Sequence, residues 1–159
     1  MTISTKLMNY LEDQQINFQT IKHAHSNSSI GSAISAQIPL QHLAKAVLLQ
    51  NHEDRIVMAV LPANRKISIS AINEQLMGSY RLLKEREVYQ LFDDCERGAI
   101  PPVAEAFNMT SVCDNELDLL DFVYLEAGDH EHLLKLSHDD FEKLVSRCMH
   151  LTFSHEVFH

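Results

Sequence analysis

The sequence predicts a mixed α/β domain whose sheet is largely antiparallel and barrel-like, with helices flanking it. Three observations carry that expectation. Apolar runs of strand length recur along the chain, short stretches of helical periodicity separate them, and no run approaches the roughly 18 residues that a membrane span needs. The chain has 159 residues, 45% of them hydrophobic. That is the size of one domain with a substantial core, so residues 1–159 are read as a single domain whose core spans about 10–145.

Each element has its own warrant. Residues 5–14 place Leu7, Met8 and Leu11 on one helical face behind Ser4 or Thr5 as N-cap. Residues 18–21 alternate like a half-buried strand and lead into His23-Ala24-His25-Ser26. Residues 28–37 read as a helix that ends before Pro39. The apolar runs 43–50 and 56–61 flank Asn51-His52-Glu53-Asp54, which predicts a hairpin. A strand then gives way to a helix over 66–77, with Gly78 as its stop. Residues 85–92 should be helical, and Gly98 with Pro101-Pro102 then imposes a fixed loop. Strands follow at 110–113, 122–126 and 132–136, and Ser137 caps a last helix with Asp139 and Asp140 in its first turn. His150, His155 and His159 lie beyond it and are expected at the surface or in disordered chain.

The charge is unevenly spread. The formal net charge is −9. Residues 1–54 hold three basic and four acidic groups, 55–97 seven and six, and 98–159 three and twelve. A large basic face for duplex DNA is therefore not expected, whereas a site for one phosphate or one polynucleotide end fits. Three cysteines without pairing-like spacing predict reduced thiols in a cytoplasmic setting. Residues 1–10 contain no apolar core of the kind a secretory signal needs.

A few residues ask for a chemical explanation. Lys45 interrupts the apolar run Leu43-Ala44-Lys45-Ala46-Val47-Leu48. It must snorkel, pair with an acid, or reach into a cleft where a ligand supplies a phosphate, carboxylate or carbonyl oxygen. The loop Gly98-Ala99-Ile100-Pro101-Pro102 is stiff at its far end and permissive at its start, so it can present backbone N–H groups to an oxyanion, or simply be a turn. His23 with His25, and His130 with His132, share strand faces at alternate positions. Asp129 and Glu131 lie beside the second pair, so a metal site is one reading and ordinary hydrogen-bonding histidines the other. Cys95 stands among Asp93, Asp94 and Glu96, whose charge disfavours a thiolate nucleophile.

The order of these pieces resembles the YbaK/EbsC family, the prolyl-tRNA synthetase-associated editing domains. The resemblance rests on His23-Ala24-His25-Ser26, the run around Lys45, Val57-Met58-Ala59-Val60-Leu61-Pro62, residues 87–92, the segment from Asp94 to Pro102, and residues 123–132. It covers roughly residues 10–144, and its most specific part is a lysine followed some fifty residues later by Gly-x-x-x-Pro. The resemblance implies a free-standing, trans-acting hydrolase of the ester that joins a small amino acid to tRNA-Pro or a similar tRNA, with no metal and no other cofactor. It implies Lys45 and Gly98 as the catalytic positions. The implied substrate-binding residues are His23, Ser26, Ala99, Ile100, Pro101, Pro102, His130 and His132, with the choice between the two last histidines left to the fold. Ile38, Leu40, Met58 and Ile100 are expected to shape the amino-acid sieve. The implied partners are the tRNA 3′ end and a prolyl-tRNA synthetase, with no membrane and no DNA. Two rival readings stand beside it: a metal-dependent hydrolase built on the four paired histidines, and a non-catalytic module for tRNA ends or a synthetase.

Overall fold

The computed structural model describes residues 2–157. Its centre is the expected hairpin. Strands β2 (Leu43–Gln50) and β3 (Ile56–Pro62) pair antiparallel from Ala44 beside Pro62 to Gln50 beside Ile56. The turn is held by the Asn51 side chain, which accepts the backbone N–H groups of Glu53 and Arg55 at 2.9 Å each. Such Asx turns let a polar side chain satisfy backbone groups that a tight reversal strands.

The hairpin lies in the middle of an eight-stranded sheet. The other strands on its path are β1 (Gln19–Lys22), β6 (Thr110–Asp114), β7 (Phe122–Glu126), β8 (His132–Ser137) and β9 (Met149–Leu151). The order is β1-β8-β7-β2-β3-β6-β9, and the two-residue strand β5 (Arg81–Leu82) pairs with the far end of β2. A separate pair joins β4 (Arg65–Ile67) to β10 (Ser154–Glu156). Five strand pairs are antiparallel, while β2 with β7, β3 with β6 and β6 with β9 are parallel. The path is open among the described residues, with β1 and β9 at its ends, so the curvature expected of a barrel-like sheet is not carried to hydrogen-bonded closure.

Among the described residues five α-helices flank the sheet: α1 (Thr5–Asp13), α2 (Ser29–Ala36), α3 (Ile69–Leu76), α4 (Glu85–Leu91) and α5 (His138–Leu144). Ser4, Ser28, Ser68 and Ser137 cap α1, α2, α3 and α5 by accepting a backbone N–H in the first turn. Period-two alternation divides the strand residues between two faces. Ala44, Leu48, Met58, Val60, Val123, Leu125, Leu134 and Leu136 form the main core with Leu7, Leu11, Phe92, Phe107 and Phe141. The opposite face carries two smaller clusters. One gathers Leu49, Val57, Ala59, Leu61, Val112 and Phe153 around Ile72 of α3, and the other gathers Leu43, Tyr124 and Leu133 around Ala33 of α2.

The local details refine the expectations. The strand and helix expected over 66–77 resolve into β4 and α3, and α3 is capped by Met77, which itself takes the left-handed conformation at φ +53°, while the N–H of Gly78 donates to Asn73 O at 3.0 Å. His150 in β9 and His155 in β10 are exposed, as expected of surface groups, but they stand in short strands; His159 lies outside the described residues. Strands β5, β9 and β10 are only two or three residues long, and pairing with edges already present recruits them, so periodicity does not reveal them. Among the described residues no helix is long and apolar enough to cross a membrane.

Candidate active site

Lys45 occupies the gap between the two smaller clusters. Alternation puts it on the face of Leu43 and Leu49, and its strand partner on β3 is Leu61. Its side chain is half-buried, and burial lowers its ammonium pKa below the usual lysine value, with the Lys66 charge adding to the shift. Hydrogen bonds and ion pairs with other described residues contribute nothing to that balance. A lysine desolvated this far without an acidic partner is a cation held ready for an anionic or carbonyl oxygen.

The loop from Asp93 to Pro102 is anchored at several points. Asp94 accepts the Ser4 hydroxyl at 2.8 Å and the Lys6 N–H at 3.2 Å, and the Glu96 N–H donates to Gly128 O at 2.7 Å. Ala99, Pro101 and Pro102 are buried, and Ile100 leans on the main core. Their side chains hold the loop in place rather than line an open surface. Gly98 is exposed at φ +77°. A Cβ there would lie 3.0 Å from Asn27 O and 3.3 Å from His130 Nε2, so both the backbone conformation and the close approach require glycine. The Gly98 N–H donates to no acceptor among the described residues.

The β7–β8 connection, Ala127 to Glu131, closes the site. Asp129 is fully buried and accepts the N–H groups of Glu131 and His132 at 3.0 Å each, as well as His132 Nδ1 at 2.5 Å. Burial opposes its charge, but those donors outweigh burial and hold the carboxyl below its ordinary range. His132 is thus committed to Asp129. His130, at φ +57° and 2% exposed, turns the other way: its Nε2 hydrogen-bonds the Arg97 carbonyl and its Nδ1 lies 3.8 Å from Glu126 Oε2. It forms part of the wall of an open cleft of about 510 Å³ with His25, Asn27, Tyr89, Glu96 and Arg97. The Arg97 guanidinium stacks 4.3 Å above the Tyr89 ring, and His25 meets the His130 ring edge-on and bonds Glu96 at 3.3 Å.

The His23-to-Ser26 segment clamps this turn. The His23 N–H donates to Glu131 O at 2.8 Å, the Ser26 N–H to His130 O at 3.3 Å, and the Ser26 hydroxyl pairs with that of Ser32 on α2 at 2.8 Å. His23 itself is buried, with Nδ1 at 2.7 Å from Ala24 O. The structure therefore brings Gly98, Ser26 and His130 together and turns His132 aside. Of the expected sieve residues, Ile38 and Leu40 pack with the α2 cluster on the face of Lys45. Met58 faces the main core on the opposite side of the sheet and Ile100 packs against that core, so neither is placed to line a pocket beside Lys45.

The rival metal site does not assemble. Among the described residues His23, His25, His130 and His132 are not gathered as ligands; the group whose ligand atoms approach one another is His138, Asp139 and Glu142 on α5. Cys95 is not poised as a nucleophile, since burial and the Asp94 carboxylate push its thiol far above the usual range.

One residue of the site escapes a reading of the sequence. Glu126 is 1% exposed at the end of β7, and neither carboxyl oxygen has a hydrogen-bond partner among the described residues. The parallel register pairs Leu43 with Tyr124 and Ala44 with Leu125, so Lys45 and Glu126 are the next residues of their strands and share the α2 face. The available signal was the one that singled out Lys45: a charged residue closing an apolar run, here Phe122-Val123-Tyr124-Leu125-Glu126.

The profile of the aminoacyl-tRNA editing domain matches residues 23–144, which include every one of these site residues. The chain belongs to the aminoacyl-tRNA editing domain family, and at family level that makes it a hydrolytic domain acting on mischarged tRNA. Solved structures share the fold. A hypothetical protein superimposes with a TM-score of 0.83 at 18% identity, covering 94% of this chain and 99% of that one. A candidate trans-editing enzyme for prolyl-tRNA synthetase gives 0.79 at 13% identity, covering 94% and 95%. A candidate signal transduction protein from Marinobacter aquaeolei VT8 gives 0.77 at 22% identity; the match covers 96% of this chain but only 31% of that longer one. No curated protein sequence matches the chain significantly.

Proposed function

We propose that this protein is a trans-acting aminoacyl-tRNA deacylase that removes a small amino acid from the tRNA 3′ end without using a metal. The observation that carries this reading is the Gly98 N–H: a backbone donor with no acceptor among the described residues, in a loop pinned on both sides, within an editing-domain fold. An aminoacyl ester is already activated, so the site need only hold it, polarise its carbonyl and admit water. Water adds to the ester carbon and the negative charge that develops on the carbonyl oxygen is met by the Gly98 N–H. The C–O bond to the ribose then breaks, giving the free amino acid and the ribose hydroxyl of the tRNA. Lys45 supplies a cation for the terminal phosphate or the ester region, and Ile38 and Leu40 bound the side-chain space on its face of the sheet.

Such a second sieve is useful because a synthetase pocket separates substrates differing by one methylene by only about 1–3 kcal/mol. The likeness in fold to a candidate trans-editing enzyme for prolyl-tRNA synthetase supports tRNA-Pro as the first tRNA to test and a synthetase acting on the same tRNA; a cytoplasmic setting goes with that role.

A deacylation panel tests the reading. Small aminoacyl-tRNAs, including mischarged tRNA-Pro, are incubated with wild type and Lys45→Ala, with and without EDTA. The expected result is hydrolysis of at least one substrate, unaffected by EDTA, with Lys45→Ala slower by on the order of a hundred- to a thousandfold. Hydrolysis abolished by EDTA would give the reaction to a metal, and tRNA binding without any hydrolysis would leave a non-catalytic module.

A further inference from the structure

We propose that Glu126 is a positioning residue that acts in its uncharged form: its carboxyl proton is donated to His130 Nδ1, which fixes the ring that aims the Gly98 N–H into the site. The proposal rests on the deacylase reading for its catalytic consequence, but its structural content stands separately.

His130 Nε2 meets the Arg97 carbonyl, which can only accept, so Nε2 carries a proton. The Arg97 carbonyl and the Gly98 N–H belong to the same planar trans peptide and point in opposite directions. Holding the carbonyl against His130 therefore directs the N–H away from His130, and the donor is left without an acceptor among the described residues. This restraint matters because Gly98 at φ +77° has no side chain to resist rotation of that peptide.

What fixes His130 is Glu126. Nδ1 of His130 and both oxygens of Glu126 are buried without a hydrogen-bond partner among the described residues, and Nδ1 stands 3.8 Å from Oε2. Closing that gap to hydrogen-bond length takes roughly 1 Å of side-chain movement. At 1% and 2% exposure a neutral carboxyl beside a neutral ring is favoured over a carboxylate beside an imidazolium, because the pair would otherwise lose the hydration of two charges. Three other groups bear on Glu126: Ser32 from α2, paired with Ser26, favours the carboxylate; Asp129 from the turn is a held carboxylate whose charge opposes a second one; and Lys45 of β2 shares the sheet face but contributes nothing to the carboxyl's shift. Burial pushes the Glu126 carboxyl up to about 8, with Ser32 pulling it back and Asp129 adding to the rise, so it keeps its proton at neutral pH.

The test compares wild type with Glu126→Gln, which keeps a donor toward Nδ1, and Glu126→Leu, which removes it. Steady-state deacylation should show Glu126→Leu losing about tenfold or more in kcat with little change in KM, and Glu126→Gln staying within about threefold of wild type. The wild-type kcat should fall as pH rises through about 8, and that fall should vanish in Glu126→Gln. Nitrogen NMR of the imidazole reads the same arrangement without any substrate: at neutral pH His130 should carry its proton on Nε2 and not on Nδ1. A Glu126→Gln enzyme as slow as Glu126→Leu would overturn the proposal, as would a protonated Nδ1. Should Glu126→Leu fail to fold, the Gln variant and the wild-type spectrum still decide. Wild type that hydrolyses no aminoacyl-tRNA would defeat the deacylase reading alone, and the tautomer would then judge the positioning by itself.

Discussion

Lys45 and Glu126 end up on one face of neighbouring strands, yet only the lysine stands out in the sequence. A cation in the middle of Leu43–Gln50 breaks an apolar run, whereas a carboxylate at the last residue of Phe122–Glu126 looks like the start of a polar turn. His130 and His132 illustrate the same limit. Alternation assigns both to one strand face, but the left-handed backbone at His130 sends one ring to Arg97 and leaves the other with Asp129. Glu126 also has a thermodynamic signature. Burial moves its carboxyl from 4.5 to about 8, so the folded state keeps a proton that the unfolded chain releases within that window. Its favourable contribution is complete below 4.5 and is lost as pH rises to about 8. Denaturant titrations of wild type across this range should show stability declining by on the order of a few kcal/mol more than in Glu126→Gln.

Among the elements, the hairpin, the central strands and the five helices follow from periodicity and capping residues, with boundaries shifted by one or two positions. The C-terminal strands do not. Their anchor is Asp114 at the end of β6, fully buried, whose carboxylate accepts the N–H groups of Phe153 at 3.0 Å, Ser154 at 2.8 Å and Glu116 at 2.9 Å. Nothing in the residues around Asp114 announces partners some forty positions away. Replacing Asp114 by alanine leaves buried donors unpaired and should cost roughly 2–4 kcal/mol. Hydrogen exchange should place the loss in β4 and β10, which depend on that anchor, while amides of the β2–β3 hairpin stay protected. Uniform loss of protection would mean that the C-terminal pair is not a local unit.

At the scale of the whole molecule, the net charge of −9 limits how a tRNA can be held. Several of the cations are already engaged: Arg65 bonds Ser154, Arg81 bonds Gln50 and pairs with Glu87, and Arg97 lies on Tyr89. A domain with this excess of acidic groups should grip the 3′ end and little of the tRNA body. The salt dependence of its tRNA binding should therefore be shallow, and a slope implying about six or more phosphate contacts would contradict this. The sequence by itself determined the fold class, the order of the central elements and the family, and it drew attention to Lys45 and the Gly98 loop, because periodicity, capping and loop stiffness are local properties that residues declare in order. Tertiary structure alone decided which histidine turns toward Gly98, that Met58 lies on the far side of the sheet from Lys45, and that Glu126 is buried against His130. Those facts depend on strand register and on one left-handed residue, which bring together side chains whose spacing along the chain carries no trace of their meeting.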